Sequence, residues 1–237
     1  MNNEKEYTFE WDKSAKFFDD QGCYSLLSNQ LKNYNTIFEV GCGTGYSTLA
    51  LAKSGFKVIS LEKNIYCLNK AKEMIEKNGY CDSVEFIYGD IVDDNLINNI
   101  VKNYNFDIVI CWNMGTALEK TFGDKYIIHM LNYGLTKEQI KLNIESSYIE
   151  MIIYKAFSIA YNKRIPFQIV DRTLIPINKS NGQYYLKLKN EFKYNFIIFN
   201  NYEAKALSNG GKELIIEKKV IKEDLISINL ASILFLL

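Results

Sequence analysis

The sequence predicts a doubly wound α/β fold: a mostly parallel β-sheet with helices on both faces and antiparallel strands at one edge. Three observations lead to this prediction. Strand-like and helix-like segments alternate four times between residues 36 and 163. The fourth strand, residues 106–111, is largely apolar, as expected of a central parallel strand covered on both faces. A turn at Asn209-Gly210-Gly211 precedes the segment 213–220 and indicates an antiparallel hairpin near the carboxyl end.

The individual elements are predicted from periodicity and from the signals at their ends. Asn64 caps the second helix, and Asp93 or Asp94 caps the third. The pattern Thr136-Lys137-Glu138-Gln139 is a capping box that opens one long helix to about Lys163, after an irregular stretch over 112–136. The predicted strands span residues 36–40, 57–61, 84–88, 106–111, 167–170, 195–199 and 213–220, with a last strand from 226, and the first two helices span 45–53 and 64–77. After residue 167 we expect strands without helices.

Composition indicates one electrically neutral domain. The chain has 237 residues, 48% of them hydrophobic, which suffices for one buried core. Its 28 basic and 28 acidic side chains cancel, so no overall field attracts nucleic acid or an anionic membrane. Residues 137–237 hold 15 basic and 10 acidic side chains, an excess that we interpret as scattered, solvated lysines. We therefore expect a small-molecule partner rather than nucleic acid.

Cysteine usage and the chain ends bear on metal content and compartment. The five cysteines include no C-x-x-C pair and there is one histidine, so neither a disulfide framework nor a metal site is expected. The first residues, MNNEKEYTFEW, are polar and acidic, unlike a signal peptide. The longest apolar stretch, 226–237, is too short to cross a bilayer core about 30 Å thick. These observations favour a cytoplasmic protein that is not inserted in a membrane.

Three glycines alternate with other residues in the loop after the first strand, which reads Glu39-Val40-Gly41-Cys42-Gly43-Thr44-Gly45. Glycine allows a sharp strand-to-helix turn and lets a ligand lie against bare backbone. The spacing differs by one position from the dinucleotide fingerprint G-x-G-x-x-G. It resembles D/E-x-G-x-G-x-G, the first motif of class I S-adenosylmethionine-dependent methyltransferases, here of the small-molecule type. The resemblance implies a Rossmann-like, seven-stranded sheet with a helical N-terminal cap, S-adenosyl-L-methionine as cofactor and S-adenosyl-L-homocysteine as product.

Further segments resemble that family's motifs in order. By this resemblance Glu62 accepts the ribose hydroxyls, and Asp90 accepts the adenine amine while Ile91 packs on the ring; the alternatives are an exposed strand-end acid and a turn or capping aspartate. Asp107, in a segment similar to the fourth motif, is expected to brace the sheet. The segment from Trp11 to Asp19 resembles an N-terminal helix that folds over the cofactor, although its aromatic residues equally suit a core. The implied cofactor-binding set is Glu39, Gly41, Cys42, Gly43, Gly45, Glu62, Lys63, Asp90, Ile91 and Cys111.

The acceptor side is less defined by the sequence. Trp112 and Asn113 follow the fourth strand, where they either line the acceptor site or support it. This loop lacks both prolines and the final aromatic of N/D/S-P-P-Y/F, which argues against methylation of adenine or glutamine. His129 is the one histidine and so a candidate base, but its apolar neighbours also suit a packed structural residue. Trp112, Asn113 and His129 are thus the candidate catalytic residues.

The resemblance implies a single domain with four parts. Residues 1–33 form the cap, 34–111 the cofactor-binding half, 112–165 a substrate-region insertion with the long helix, and 166–237 the C-terminal strands. The expected activity is methyl transfer to an N, O or C nucleophile of a small molecule by in-line displacement. A non-catalytic cofactor-binding subunit and an RNA methyltransferase are the alternatives, and the sequence leaves the acceptor and the oligomeric state open.

Overall fold

The computed structural model describes residues 3–112, 124–207, 215–216, 219–220 and 225–237. Its strands are β1 (Thr36–Val40), β2 (Lys57–Glu62), β3 (Val84–Tyr88), β4 (Ile108–Trp112), β5 (Phe167–Thr173), β6 (Phe196–Leu207), β7 (Ile215–Ile216), β8 (Lys219–Val220) and β9 (Leu225–Leu236). Its helices are α1 (Asn3–Asp20), α2 (Cys23–Ser28), α3 (Tyr46–Lys53), α4 (Ile65–Lys77), α5 (Asp94–Asn103), α6 (Asp124–Tyr133), α7 (Lys137–Leu142), α8 (Ile144–Lys163) and α9 (Gln183–Glu191).

Seven strands form one sheet in the order β3-β2-β1-β4-β5-β9-β6. Strands β1 to β5 pair in parallel, whereas β9 pairs antiparallel with both β5 and β6. The predicted fold class is therefore confirmed. The strand order reverses between β1 and β4, and ligands of doubly wound sheets bind at the carboxyl ends of the strands beside such a reversal.

The core lies on both faces of this sheet. Along β4 the side chains alternate: Ile108, Ile110 and Trp112 pack with residues of α1, α2 and α3. Val109 and Cys111 face the other way, towards α5, α6, α8 and α9. Burial on both faces explains the apolar sequence of this central strand. Among the described residues, no helix is both long and apolar enough to span a bilayer.

The prediction of one helix over 137–163 is wrong, because Asn143 divides it. Asn143 has φ −157° and ψ 90°, outside the helical region, and it follows the last residue of α7. Its Oδ1 accepts a hydrogen bond from the N–H of Ser146 at 2.9 Å and so caps α8. The predicted capping box at Thr136 is confirmed and opens α7 alone.

Two helices lie where none was predicted. α9 occupies part of the region where we expected strands only, and α6 lies within the stretch predicted to be irregular. Strand β4 begins at Ile108 rather than at residue 106, because the carboxylate of Asp107 accepts from the N–H groups of Asn35 and Thr36 and braces β1. Of the predicted strand 213–220, the described residues form the short hairpin β7–β8, which is separate from the main sheet.

Candidate functional site

The loop between β1 and α3 turns on three glycines. Gly41, Gly43 and Gly45 have φ of 78°, 55° and 94°, values that residues with a side chain rarely adopt. A Cβ on Gly45 would lie 2.7 Å from the Cα of Ala71, because the start of α3 is pressed against α4. Cys42 between the glycines is buried, and burial raises the pKa of its thiol. The loop thus requires glycine at alternate positions for its own geometry.

Glu62 ends β2 and directs its carboxylate at this loop. Its Oε2 accepts from the N–H of Gly43 at 2.9 Å, and its Oε1 accepts from the N–H of Asn64 at 2.8 Å. The residue is 8% exposed, and burial raises the pKa of Glu62 although the two N–H groups oppose the rise. A carboxylate oxygen has two lone pairs, so each oxygen retains one acceptor position for a further donor such as a hydroxyl.

Glu39 lies beneath the loop and is 1% exposed. Its carboxylate accepts hydrogen bonds from the hydroxyls of Ser47, Thr48 and Ser60 at 2.5, 2.6 and 3.0 Å. Burial raises the pKa of Glu39, and the three hydroxyl donors act against that rise. These contacts tie β1 and β2 to the first turn of α3. The family resemblance also implies that Glu39 lies near the ammonium of the cofactor, and this stays a prediction.

Lys63 and Asp90, which follow β2 and β3, meet two tyrosines of α6 and α8. Tyr126 donates its hydroxyl to Oδ2 of Asp90, and Nζ of Lys63 donates to the hydroxyl oxygen of Tyr148 at 2.5 Å. Nζ of Lys63 also lies 4.4 Å from the ring centroid of Tyr148 and 4.9 Å from that of Tyr126, within cation–π range. Ile91 beside them is buried. The predicted Lys63, Asp90 and Ile91 therefore lie together, with the two tyrosines added.

Helix α1 lies across the carboxyl edge of the sheet. Asn64 donates its amide to Oγ1 of Thr8 at 3.2 Å, and Nζ of Lys70 lies 2.5 Å from Oδ2 of Asp12. The indole of Trp11 occupies the bare face of the loop, where a Cβ on Gly43 would overlap its Nε1. These contacts place α1 over the glycine-rich loop, and that it covers a bound cofactor stays a prediction.

Of the candidate catalytic residues that the structure describes, Trp112 packs on one face of the sheet and His129 lies on α6, which packs on the other. Trp112 is 5% exposed, and its Nε1 donates to Oε1 of Gln168 at 2.7 Å inside the core. Cys111 is wholly buried on the opposite face, where burial raises the pKa of its thiol. His129 is half-buried on α6, and Asn113 lies outside the described residues. The catalytic roles of Trp112, Asn113 and His129 stay predictions.

Three residues of this region were missed by the sequence analysis. The sequence did not indicate a site role for Tyr126 or Tyr148. Tyr126 lies in the stretch predicted to be irregular, and Tyr148 lies on the predicted long helix, where apolar neighbours at helical spacing are typical of a core. Arg172 did give a signal. It is one of only two arginines and lies at the end of the predicted fifth strand, the edge of the sheet at which ligands bind.

A family model described as a methyltransferase domain matches residues 31–156, more than half of the chain. The chain belongs to the class I S-adenosylmethionine-dependent methyltransferases. The match covers the glycine-rich loop, Glu62 and Asp90 and ends within α8. This methyltransferase is accordingly an enzyme whose cofactor is S-adenosylmethionine.

Individual relatives differ in how much of the chain they share. "Probable ribosomal RNA small subunit methyltransferase A" of Methanosphaera stadtmanae is 27% identical over 252 residues, which cover 95% of this chain and 89% of the relative. Ribosomal protein L11 methyltransferase of Clostridium botulinum is 29% identical over 90 residues, which cover 37% of this chain and 28% of the relative. Among solved structures, EvdMO1 superposes with a TM-score of 0.50 at 13% identity, covering 90% of this chain and 40% of that one, a likeness of fold.

The expectation of a small-molecule partner rather than nucleic acid is contradicted by the relative from Methanosphaera, which is named for ribosomal RNA. The argument from charge failed because a net charge is an average over the molecule. In this methyltransferase a total of zero conceals an excess of five basic side chains in residues 137–237. A polyanion such as RNA interacts with the local charge of the surface it contacts, and the net charge of the whole molecule does not report that local charge.

The described residues of the methyltransferase fit S-adenosylmethionine. Gly43 presents bare backbone on which a flat group can lie, and in this structure that group is the indole of Trp11. The carboxylate of Glu62 is acceptor-only and can take further hydrogen bonds, which is what ribose hydroxyls require. Nε and Nη2 of Arg172 are buried hydrogen-bond donors without a partner among the described residues. A nucleoside that carries an amino acid has hydroxyl groups for the acceptor and a carboxylate for the donors.

Proposed function

We propose that this methyltransferase methylates RNA. The observation that carries the proposal is the extent of the similarity to the ribosomal RNA relative, which reaches over 95% of the chain. The family model ends at residue 156, and the similarity to the L11 enzyme spans only 90 residues. The ribosomal RNA relative therefore shares the part of the chain beyond the cofactor-binding half, where acceptor specificity is expected.

Two aromatic side chains beyond that half support an RNA acceptor. Tyr184 and Tyr185 begin α9 with their ring centroids 5.3 Å apart, and the hydroxyl of Tyr185 donates to Oδ2 of Asp171 at 2.6 Å. Asp171 lies near the carboxyl end of β5, so this pair of rings reaches the ligand-binding edge of the sheet. Tyr184 is 36% exposed. An exposed ring at this edge offers a surface on which an unstacked base can stack.

The main catalytic task of the protein is to align the acceptor atom with the methyl group of the cofactor. The bound cofactor supplies a methyl group on a sulfonium, which an acceptor atom displaces in line. Glu62 and the glycine-rich loop fix the nucleoside, and alignment of this kind contributes about 7–11 kcal/mol to catalysis. Asp90 is held in place by Tyr126, and Lys63 by Tyr148, which limits how far the adenine end can shift.

The test is transfer of labelled methyl groups to macromolecular fractions. The purified chain is incubated with methyl-labelled S-adenosylmethionine and, separately, with total RNA, DNA or protein. We expect label in RNA that ribonuclease releases. Glu62→Ala should lose the transfer, whereas Glu73→Ala, which removes an exposed carboxylate on α4, should retain it. Label in protein or DNA alone, or none in RNA with a chain that binds S-adenosylhomocysteine, would refute the proposal.

A further inference from the structure

Arg172 carries a buried guanidinium edge that no described acceptor satisfies. It is the sixth residue of β5 and pairs with Leu230 of β9. Each of its Nε and Nη2 atoms exposes less than 1 Å² and has no hydrogen-bond partner among the described residues. Burial lowers the pKa of Arg172, while Tyr7, Tyr24 and Asp171 act in the opposite direction.

Leaving Nε and Nη2 of Arg172 buried without acceptors lowers the stability of the fold unless another group accepts their hydrogen bonds. An unsatisfied buried donor costs about 1–3 kcal/mol, and more when it is charged. Most buried polar groups in folded proteins have a partner, so an exception calls for an explanation. Nε and Nη2 lie on the same edge of the planar guanidinium, the fork that binds both oxygens of a carboxylate or phosphate.

The free edge lies beside the amino-acid end of the cofactor site. The guanidinium carbon of Arg172 is 5.7 Å from the ring centroid of Trp11, and the same indole covers Gly43. The hydroxyls of Ser14 and Thr44 also lack partners among the described residues. Ser14 lies one turn after Trp11 on the same face of α1, and Thr44 adjoins Gly43 in the loop. Four of the five buried polar atoms without a described partner therefore belong to Arg172, to α1 or to the glycine-rich loop, and the fifth, Nε2 of Gln30, lies elsewhere.

We propose that Arg172 binds the carboxylate of the cofactor's methionyl group through Nε and Nη2. Glu62, which bonds Gly43, offers acceptors to sugar hydroxyls, and Arg172, against the indole that covers Gly43, offers donors to a carboxylate. Nε and Nη2 are closed to solvent in this structure, so a neighbouring side chain shifts when the carboxylate binds. We assign this movement to Trp11, whose indole faces the guanidinium and also covers Gly43.

The acceptor's phosphate is the other anion that a guanidinium fork binds. We favour the cofactor carboxylate over an RNA phosphate as the partner of Arg172. The unsatisfied edge of the guanidinium faces the interior under α1, whereas RNA arrives from the solvent. The inference concerns the cofactor alone. Failure of methyl transfer to RNA would leave it standing.

Calorimetric titration with two ligands tests the assignment. S-adenosylhomocysteine carries the carboxylate, and methylthioadenosine is the same nucleoside thioether without the amino-acid part. Arg172→Gln should weaken binding of S-adenosylhomocysteine about 10- to 100-fold and leave binding of methylthioadenosine unchanged. Arg172→Lys should recover part of the loss, because it restores the charge but not the fork.

Arg164→Gln is the matched control, since it removes the other arginine of the chain, at the end of α8. It should change neither affinity. Equal losses for both ligands in Arg172→Gln would overturn the proposal, as would unchanged S-adenosylhomocysteine binding with weakened binding of RNA. Far-ultraviolet circular dichroism verifies that each variant is folded, and Arg172→Lys keeps the test decisive should Arg172→Gln not fold.

Tryptophan fluorescence gives a second readout that needs no activity. With Trp112 replaced by phenylalanine, Trp11 is the single indole of the chain. Saturation with S-adenosylhomocysteine should shift its emission, because the ring leaves Arg172, while methylthioadenosine should shift it less. An identical shift with both ligands would contradict the role given to Trp11.

Discussion

Glu39 and Glu62 lie near the ends of neighbouring strands, and their partners differ in kind. Glu62 is held by two backbone N–H groups and keeps acceptor positions towards the loop. Glu39 is enclosed by three side-chain hydroxyls. The motif D/E-x-G-x-G-x-G predicts an acid at position 39 but cannot tell which way the carboxylate faces, because that depends on the hydroxyl residues at the start of α3. The motif therefore predicts where the acidic residue stands in the chain, but not which donors bind its carboxylate.

Removal of the Glu39 carboxylate should destabilise the fold. Glu39→Ala leaves three buried hydroxyls without their acceptor and should lower the free energy of unfolding by about 3 kcal/mol. Urea denaturation measures the change, with Glu73→Ala as an exposed control expected to stay within about 0.5 kcal/mol of wild type. A loss no larger than that of the control would show that the hydroxyls find other acceptors.

The pH dependence of the same site has a definite sign. Burial raises the folded-state pKa of Glu39 above its ordinary value of 4.5, so the folded chain binds this proton more tightly than the unfolded chain does. The contribution to stability is complete below that value and is lost as pH rises through the folded-state pKa. In the same urea experiments, wild type should lose stability relative to Glu39→Gln over that interval. A difference that is constant with pH would contradict this expectation.

At the scale of elements, side-chain caps located the starts of three helices in the sequence. Asn64, Asp93 and Thr136 cap α4, α5 and α7 as expected. The N-cap residue of α9 is Gly182, which has no side chain to cap the helix, and α9 buries few residues, so neither end signal nor periodicity indicated a helix. The break at Asn143 was hidden because apolar residues continue at helical spacing on both sides of it.

The cap at Asn143 can be measured separately from the rest of α8. Asn143→Ala removes the acceptor for the N–H of Ser146 and should cost about 1 kcal/mol of stability. Asn69→Ala is the matched control, because Asn69 is exposed inside α4, where alanine favours the helix. In chemical denaturation, the free energy of unfolding of Asn143→Ala should be lower than that of wild type, and that of Asn69→Ala should be higher. Equal stabilities would mean that α7 and α8 join into one helix when the cap is lost.

At the scale of the whole molecule, α1 joins parts of the chain that are distant in sequence. It contacts α4 through the Lys70–Asp12 pair, and Gln21 just beyond it bonds the backbone of Lys205 in β6. The sequence predicted the sheet and the cap, because both follow from local patterns. It could not predict that Trp11 and Arg172 meet, since 161 residues separate them and only the folded sheet brings β5 beside α1.

Cofactor binding should stabilise the folded molecule as a unit. A ligand that binds only the folded state at 100 times its dissociation constant adds about 2.7 kcal/mol. For a chain of this length that corresponds to a rise in Tm of about 5–10 °C with S-adenosylhomocysteine. Glu62→Ala should abolish most of this rise because it removes the acceptor of the ribose hydroxyls, and Glu73→Ala should keep it. Hydrogen exchange should slow in α1 together with the glycine-rich loop, since our proposal places the ligand between them. A rise in Tm without protection of α1 would show that this helix does not cover the bound cofactor.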